Sequence, residues 1–262
     1  NELLSRNAVE QFGHLQFDFD PSYETLSLHR IQLRRGTEIR SVLTPDAVRI
    51  LQREEGLEFR LNDGRKTALV ILRDVRPGDV LEYDYTLTGA NPVFGGKFSQ
   101  ICYLQWGIPI VHAAYRLVFP RDRPLHFNAE NGMPPTGVAT TDTHRVYTWR
   151  VAPSPAVVIE DDIPAWYDVA PRIETSEFSS WREVAAWAAP LYATRSPPSP
   201  EFLRLAADLA RSSTNPAQRI GEALRFVQEH IRYLGIEIGI QSHAPSDPSD
   251  VLDRRFGDCK DK

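Results

Sequence analysis

The 262 residues suffice for one large domain or two modest ones, and a content of 42% hydrophobic and 25% charged residues is that of an ordinary globular chain. A net charge of −5 with no basic block argues against nucleic acid as a partner. No stretch reaches the roughly 18 uninterrupted apolar residues of a membrane span, no charged-then-apolar signal segment opens the chain, and two cysteines are too few for a disulfide framework.

Up to about residue 160 the pattern is β. Leu81, Tyr83, Tyr85 and Leu87 alternate with Glu82, Asp84 and Thr86, giving one apolar face at period two. Val111, Ala113, Tyr115, Leu117 and Phe119 do the same against His112 and Arg116, and Tyr147, Trp149 and Val151 follow Arg145. Turn chemistry separates these runs at Asn62-Asp63-Gly64, Arg76-Pro77-Gly78-Asp79, Gly95-Gly96 and Asn131-Gly132-Met133-Pro134-Pro135. Many short strands punctuated by Gly and Pro predict an antiparallel β-sandwich rather than a βαβ fold. Cys102, inside the apolar run Ile101–Leu104, reads as a small buried hydrophobe. A bridge to Cys259 is disfavoured, because the two fall in different parts of the chain.

The texture changes over 152–178. Pro153, Pro155, Pro164 and Pro171 recur around the acids Glu160, Asp161 and Asp162, which predicts an extended connector over 161–178. Three adjacent acids on an extended chain point to different sides, so they read as a solvated turn and not as a metal site. Helical periodicity then takes over. Trp181, Val184, Ala185 and Ala188 follow Ser179-Ser180. Ser199-Pro200-Glu201 starts a helix with the stripe Phe202, Leu205, Ala206 and Leu209. Asn215-Pro216 starts another with Ile220, Ala223, Leu224, Val227 and Ile231. The predicted class is α+β: a β-sandwich over 1–160, the connector, and a helical part over 179–262.

The candidate chemistry lies at Gly257-Asp258-Cys259-Lys260-Asp261. A thiol is a nucleophile only as thiolate, and a place in the first turn of a helix aims unpaired N–H groups and the positive dipole end at the sulfur. Gly257 suits a tight backbone turn, Asp258 suits a cap, and the Cys259 N–H could serve as an oxyanion donor. Lys260 should act weakly, since neighbouring helix residues point apart. Tyr233 and Gln241 are further oxyanion-donor candidates with no spacing rule behind them. His243, sixteen residues before Cys259, could approach from the loop Gln241–Pro245. His230 reads as a surface or boundary residue, and His14, His29, His112, His126 and His144 show no metal spacing. No metal or cofactor is expected.

Two segments carry a resemblance. Phe226 to Glu237 and Val251 to Lys262, with the Tyr-x-Gly-Ile-Glu turn and the Gly-Asp-Cys-Lys-Asp segment, are similar to bacterial proteins of the transglutaminase-like (papain-like thiol) superfamily. Asp63-Gly64, the run Val75–Tyr83, the Trp106 to Pro109 region and Trp181 resemble the uncharacterised β domain that precedes this core in many of them. The resemblance implies the start of a papain-like core, a Cys-His-Asp triad with Cys259 as nucleophile, and acyl transfer or amide hydrolysis on a peptide or protein substrate in a periplasmic or secreted setting. The family's His and Asp follow the cysteine. No matching segments are present, so these 262 residues are expected to be inert alone. The competing expectation is a non-catalytic cell-envelope binding or scaffolding module built on the sandwich.

Overall fold

The computed structural model describes residues 2–52, 61–62, 64–128, 134–158, 162–164, 167, 169–193, 196–236 and 239–261. The expected turns at Asp63 and at Asn131–Met133 therefore lie outside the described residues, as do Glu160 and Asp161. The chain forms two compact units, Asn1–Val93 with Ala188–Lys262, and Phe94–Trp187. This partition cuts across the boundaries expected from sequence texture, because strands are grouped by whom they pair with and not by where proline clusters.

In the first unit a short helix, α1 (Arg6–Phe12), is capped by Ser5 Oγ, which accepts from the Ala8 N–H at 3.1 Å. Strands β1 (His14–Phe19), β2 (Glu24–Arg35), β3 (Glu38–Ser41), β4 (Val48–Gln52), β5 (Leu61–Asn62), β6 (Lys66–Ile71) and β7 (Val80–Gly89) follow. They build two antiparallel three-stranded sheets, β1-β6-β4 and β3-β2-β7. Leu15, Phe17, Ala68 and Val70 from one sheet share a core with Ile31, Leu33 and Leu81 from the other, as a sandwich requires. The alternation along β7 is present, yet Leu81 is fully buried while Tyr85 and Leu87 are exposed. The strands β1 and β6 are six residues long against twelve and ten for β2 and β7, so the distal half of β7 lacks cover.

The Arg76–Asp79 turn closes as expected, with Gly78 at φ +91° and the Asp79 N–H donating to Arg76 O at 3.1 Å. Asp79 also accepts from the Arg35 guanidinium at 2.8 and 2.9 Å and from the Arg76 N–H at 2.8 Å, and these bonds hold its carboxyl below the ordinary range.

The second unit repeats the plan with strands β8 (Ser99–Tyr103), β9 (Ala113–Pro120), β10 (His126–Phe127), β11 (Gly137–Thr140), β12 (His144–Val151) and β13 (Arg172–Ser176), and helix α2 (Trp181–Ala188). Its sheets are β10-β13-β8 and β11-β12-β9, both antiparallel, around Leu117, Phe119, Tyr147, Trp149 and Ile173. Residues 172–176, expected within the extended connector, are the central strand of a sheet. Only Ile173 and Thr175 face inward there, too short an alternation to stand out beside Pro164 and Pro171. On α2 the expected apolar contact also shifts: Trp181 is 86% exposed, whereas Trp187 packs on Phe94 and Phe178 at 5.5 and 5.6 Å.

Glu177, just after β13, is buried against Arg123, with Nε to Oε1 at 2.8 Å, and accepts from the Phe98 N–H at 2.5 Å. The Arg123 guanidinium holds this carboxyl below its ordinary value. A depressed folded pKa gives stability that is present above the unfolded value of about 4.3 and lost as pH falls through the folded one. The urea midpoint of this unit is therefore expected to drop as pH falls below about 4, and Glu177→Gln to flatten that acid limb. An acid limb as steep in the variant as in the parent would assign the sensitivity elsewhere.

The remainder of the first unit is helical: α3 (Pro200–Arg211), α4 (Pro216–His230), short strands β14 (Arg232–Tyr233) and β15 (Gly235–Ile236), α5 (Pro248–Arg254) and β16 (Phe256–Gly257). Ser199 caps α3 by accepting from the Phe202 N–H, Asn215 caps α4 by accepting from the Ala217 N–H, and proline holds the first position of each. No residue of α3 or α4 is buried. Phe202, Leu205 and Leu209 instead face Phe226, Val227 and Ile231 across an apolar trough of about 250 Å³. No helix among the described residues is long and apolar enough to cross a membrane.

Candidate active site

The parallel pair β14–β16 builds the site. Arg232 pairs with Phe256 and Tyr233 with Gly257, and the Leu234 N–H donates to Gly257 O at 2.9 Å. α5 feeds β16 through Arg255, which adopts the left-handed conformation at φ +59° and reverses the chain. Val251 and Leu252 are buried immediately before it.

Gly257 is required by space. A Cβ there would stand 2.9 Å from Asp261 Cβ and 3.2 Å from Val251 Cγ1. Asp258, 2% exposed, caps a turn over 259–261, where the sequence reading expected the first turn of a helix. Its Oδ1 accepts from the Lys260 N–H at 2.8 Å, and its carbonyl accepts from the Asp261 N–H at 3.2 Å. Lys260 Nζ folds back onto Asp258 Oδ2, so its charge serves the cap and not the thiol. Cys259 stands exposed at the head of this turn, as a free thiol. Tyr233, 26 residues upstream, is brought beside it by this strand pair. Desolvation first, then the neighbouring Cys259 and Asp258, push the Tyr233 hydroxyl above its ordinary pKa.

The turn is fastened by Asp261, a residue that sequence reasoning did not single out beyond its place in the motif. Its Oδ1 accepts from the Ser246 N–H at 2.6 Å, and its Oδ2 from Arg254 Nη2 at 2.7 Å and the Asp258 N–H at 3.1 Å. Arg254 also donates to Phe256 O at 2.8 Å and to Ser246 Oγ at 2.9 Å. The only sequence signal was the three-residue spacing of Asp258 and Asp261.

The other candidates are placed as follows. Gln241 is exposed in the turn Gly239–Ser242. His243 Nδ1 lies 2.8 Å from Ser242 Oγ, whose own proton goes to Gly239 O at 2.7 Å, so Nδ1 is the donor. His230 is exposed at the end of α4 and stacks on Phe226. Cys102 is a free thiol, and burial pushes its pKa up. No cluster of three or more His, Cys, Asp or Glu fit to hold a metal occurs among the described residues.

Comparison with known proteins adds three findings. No curated protein matches the chain. The fold is similar to a crystal structure of a "putative protease" from Parabacteroides distasonis ATCC 8503, with a TM-score of 0.79 at 16% identity over 97% of this chain. The chain spans about half of that protein, 50% of its length, and the likeness is one of fold. A family model described as "Domain of Unknown Function with solved-structure structure (DUF3857)" matches residues 2–158. That match covers β1 to β12, well over half of the sequence, and the chain belongs to the DUF3857 family.

Proposed function

We propose that this chain is the N-terminal portion of a transglutaminase-like thiol enzyme, acting by acyl transfer or amide hydrolysis, with Cys259 as nucleophile. One observation carries the reading: an exposed thiol at the head of an Asp258-capped turn, with the Tyr233 side chain beside it. The Cys259 sulfur, giving up its thiol proton, would attack a substrate carbonyl carbon, that proton would leave with the expelled amine, and a thioester would remain. Water or a second amine would then take the acyl group and return the thiol. The Cys259 N–H and the Tyr233 O–H are the oxyanion donors of this reading. No residue described in this chain is assigned as the base or its orienting acid. The structural likeness to a "putative protease" agrees with such chemistry, and a periplasmic or secreted setting belongs to the same proposal.

An activated acyl donor tests the nucleophile without needing a base to expel an amine. A peptidyl p-nitrophenyl ester is expected to acylate Cys259 at neutral pH at least tenfold faster than Cys102, releasing one nitrophenolate. The adduct should be removed by hydroxylamine and be absent in Cys259→Ala. Equal labelling of both thiols would end the enzymatic reading. It would favour the second one, a non-catalytic envelope-binding module, for which the exposed Ile101, Tyr103, Trp106, Ile108 and Val111 speak.

A further inference from the structure

The segment preceding the candidate site is tied at both ends to the Cys259 turn and in its middle to the N-terminal sandwich. At one end the Leu234 N–H is bonded to Gly257 O, and Tyr233 reaches Cys259. At the other the Ser246 N–H is bonded to Asp261, and Ala244 is buried. Between these anchors, β15 pairs in parallel with β5, Gly235 with Leu61 and Ile236 with Asn62. The Gly239 peptide is gripped from both sides. Its N–H donates to Asp20 Oδ2 at 3.2 Å, and its carbonyl accepts from Asn91 Nδ2 at 3.0 Å.

Both gripping groups are fixed by their own neighbours. Asp20, 2% exposed in the turn between β1 and β2, takes the Ser22 N–H and Oγ–H on Oδ1 at 2.9 and 2.6 Å, which leaves Oδ2 for Gly239. Asn91, just past β7, accepts from the Val93 N–H on Oδ1 at 3.0 Å, which fixes the amide, and its Nδ2 also donates to Ser242 Oγ at 3.0 Å. Gly239 has φ +51°, and a Cβ there would meet Ser22 Oγ at 3.1 Å. A buried carboxylate is costly unless its acceptors are used. Here one of its bonds reaches 219 residues along the chain, to the loop that frames the thiol.

We propose that Asp20 and Asn91 are positioning residues for the Cys259 site: the sandwich of the DUF3857 portion clamps Gly239, and the stretches 233–236 and 239–246 pass that restraint to the turn carrying the thiol. The proposal rests on the reading of Cys259 as nucleophile, but the clamp has a readout of its own. In Asn91→Ala and Asp20→Asn, amide exchange in 239–246 and 257–261 is expected to rise at least tenfold with the urea midpoint nearly unchanged. Acylation of Cys259 by the p-nitrophenyl ester should fall at least tenfold, with alkylation of Cys102 unaffected. Gly239→Ala approaches the clamp from its other side and should reproduce both effects should an Asp20 variant fail to fold.

Exchange that rises in 239–246 but not in 257–261 would overturn the proposal, since the loop would then move without the thiol turn. So would unchanged acylation in a variant whose loop has loosened. Failure of the parent protein to take the acyl group would strike the enzymatic reading alone, and the exchange of 257–261 would still decide the clamp.

Discussion

Replacing Trp149 with alanine is expected to cost about 3–5 kcal/mol, the range for removing a large aromatic side chain from a packed core. Trp149 is fully buried on β12, between β11 and β9. Its ring sits 5.4 Å from Tyr115, 5.9 Å from Phe127 and 6.2 Å from Tyr147, so it is the common neighbour of three aromatic rings from both sheets of that unit. Alanine leaves a void that these strands cannot close without breaking their ladders. For a unit of this size the loss corresponds to a fall in Tm of roughly 15–25 °C. All five tryptophans, Trp106, Trp149, Trp166, Trp181 and Trp187, lie in Phe94–Trp187, so tryptophan fluorescence reports on this unit. A shift in the fluorescence-detected urea transition worth less than about 1 kcal/mol would show that Trp149 does not organise that core.

The strands β7, β9 and β12 were legible because alternation is a local signal, and so were the starts of α3 and α4, where a cap and a proline sit side by side. What escaped depends on pairing across distance. β1 closes its sheet with β6, some fifty residues on, and β8 with β13, some seventy residues on, so two small sandwiches read as one. The same holds for the site. Gly257, Asp258 and Cys259 form a contiguous motif and could be found in it. Tyr233 had no spacing rule because its approach is made by the β14–β16 pair, which brings together residues 26 apart in sequence. Arg254 and Ser246 were invisible for a related reason, since their partners are set by the αL turn at Arg255 and by the path of the loop before α5. Asp20 and Asn91 are further still from any local pattern.

The second large effect is expected at Asp261. Alanine there removes one carboxylate that satisfies Arg254, the Ser246 N–H and the Asp258 N–H together. Breaking a buried ion pair costs about 3–5 kcal/mol when the remaining charge is sealed from water. Arg254 keeps 21% of its side chain exposed while Asp261 keeps 2%, so the charge left behind recovers some hydration, and about 2–3 kcal/mol is expected. The loss should be local. Exchange is expected to rise in 244–261 while the strands β1 to β7 keep their protection, and iodoacetamide should reach Cys259 without discrimination by the turn. A double-mutant cycle with Arg254→Ala separates the two roles of the carboxylate. If Asp261 mainly neutralises Arg254, the double variant should be less destabilised than the sum of the single ones. If it mainly ties down the two backbone N–H groups, Arg254→Ala should cost little and the effects should add. The Arg254 pair makes some sub-additivity expected, but it should fall well short of the whole cost of Asp261→Ala, because two of the three bonds to Asp261 come from backbone N–H groups and stay unmet whichever side chain stands at position 254.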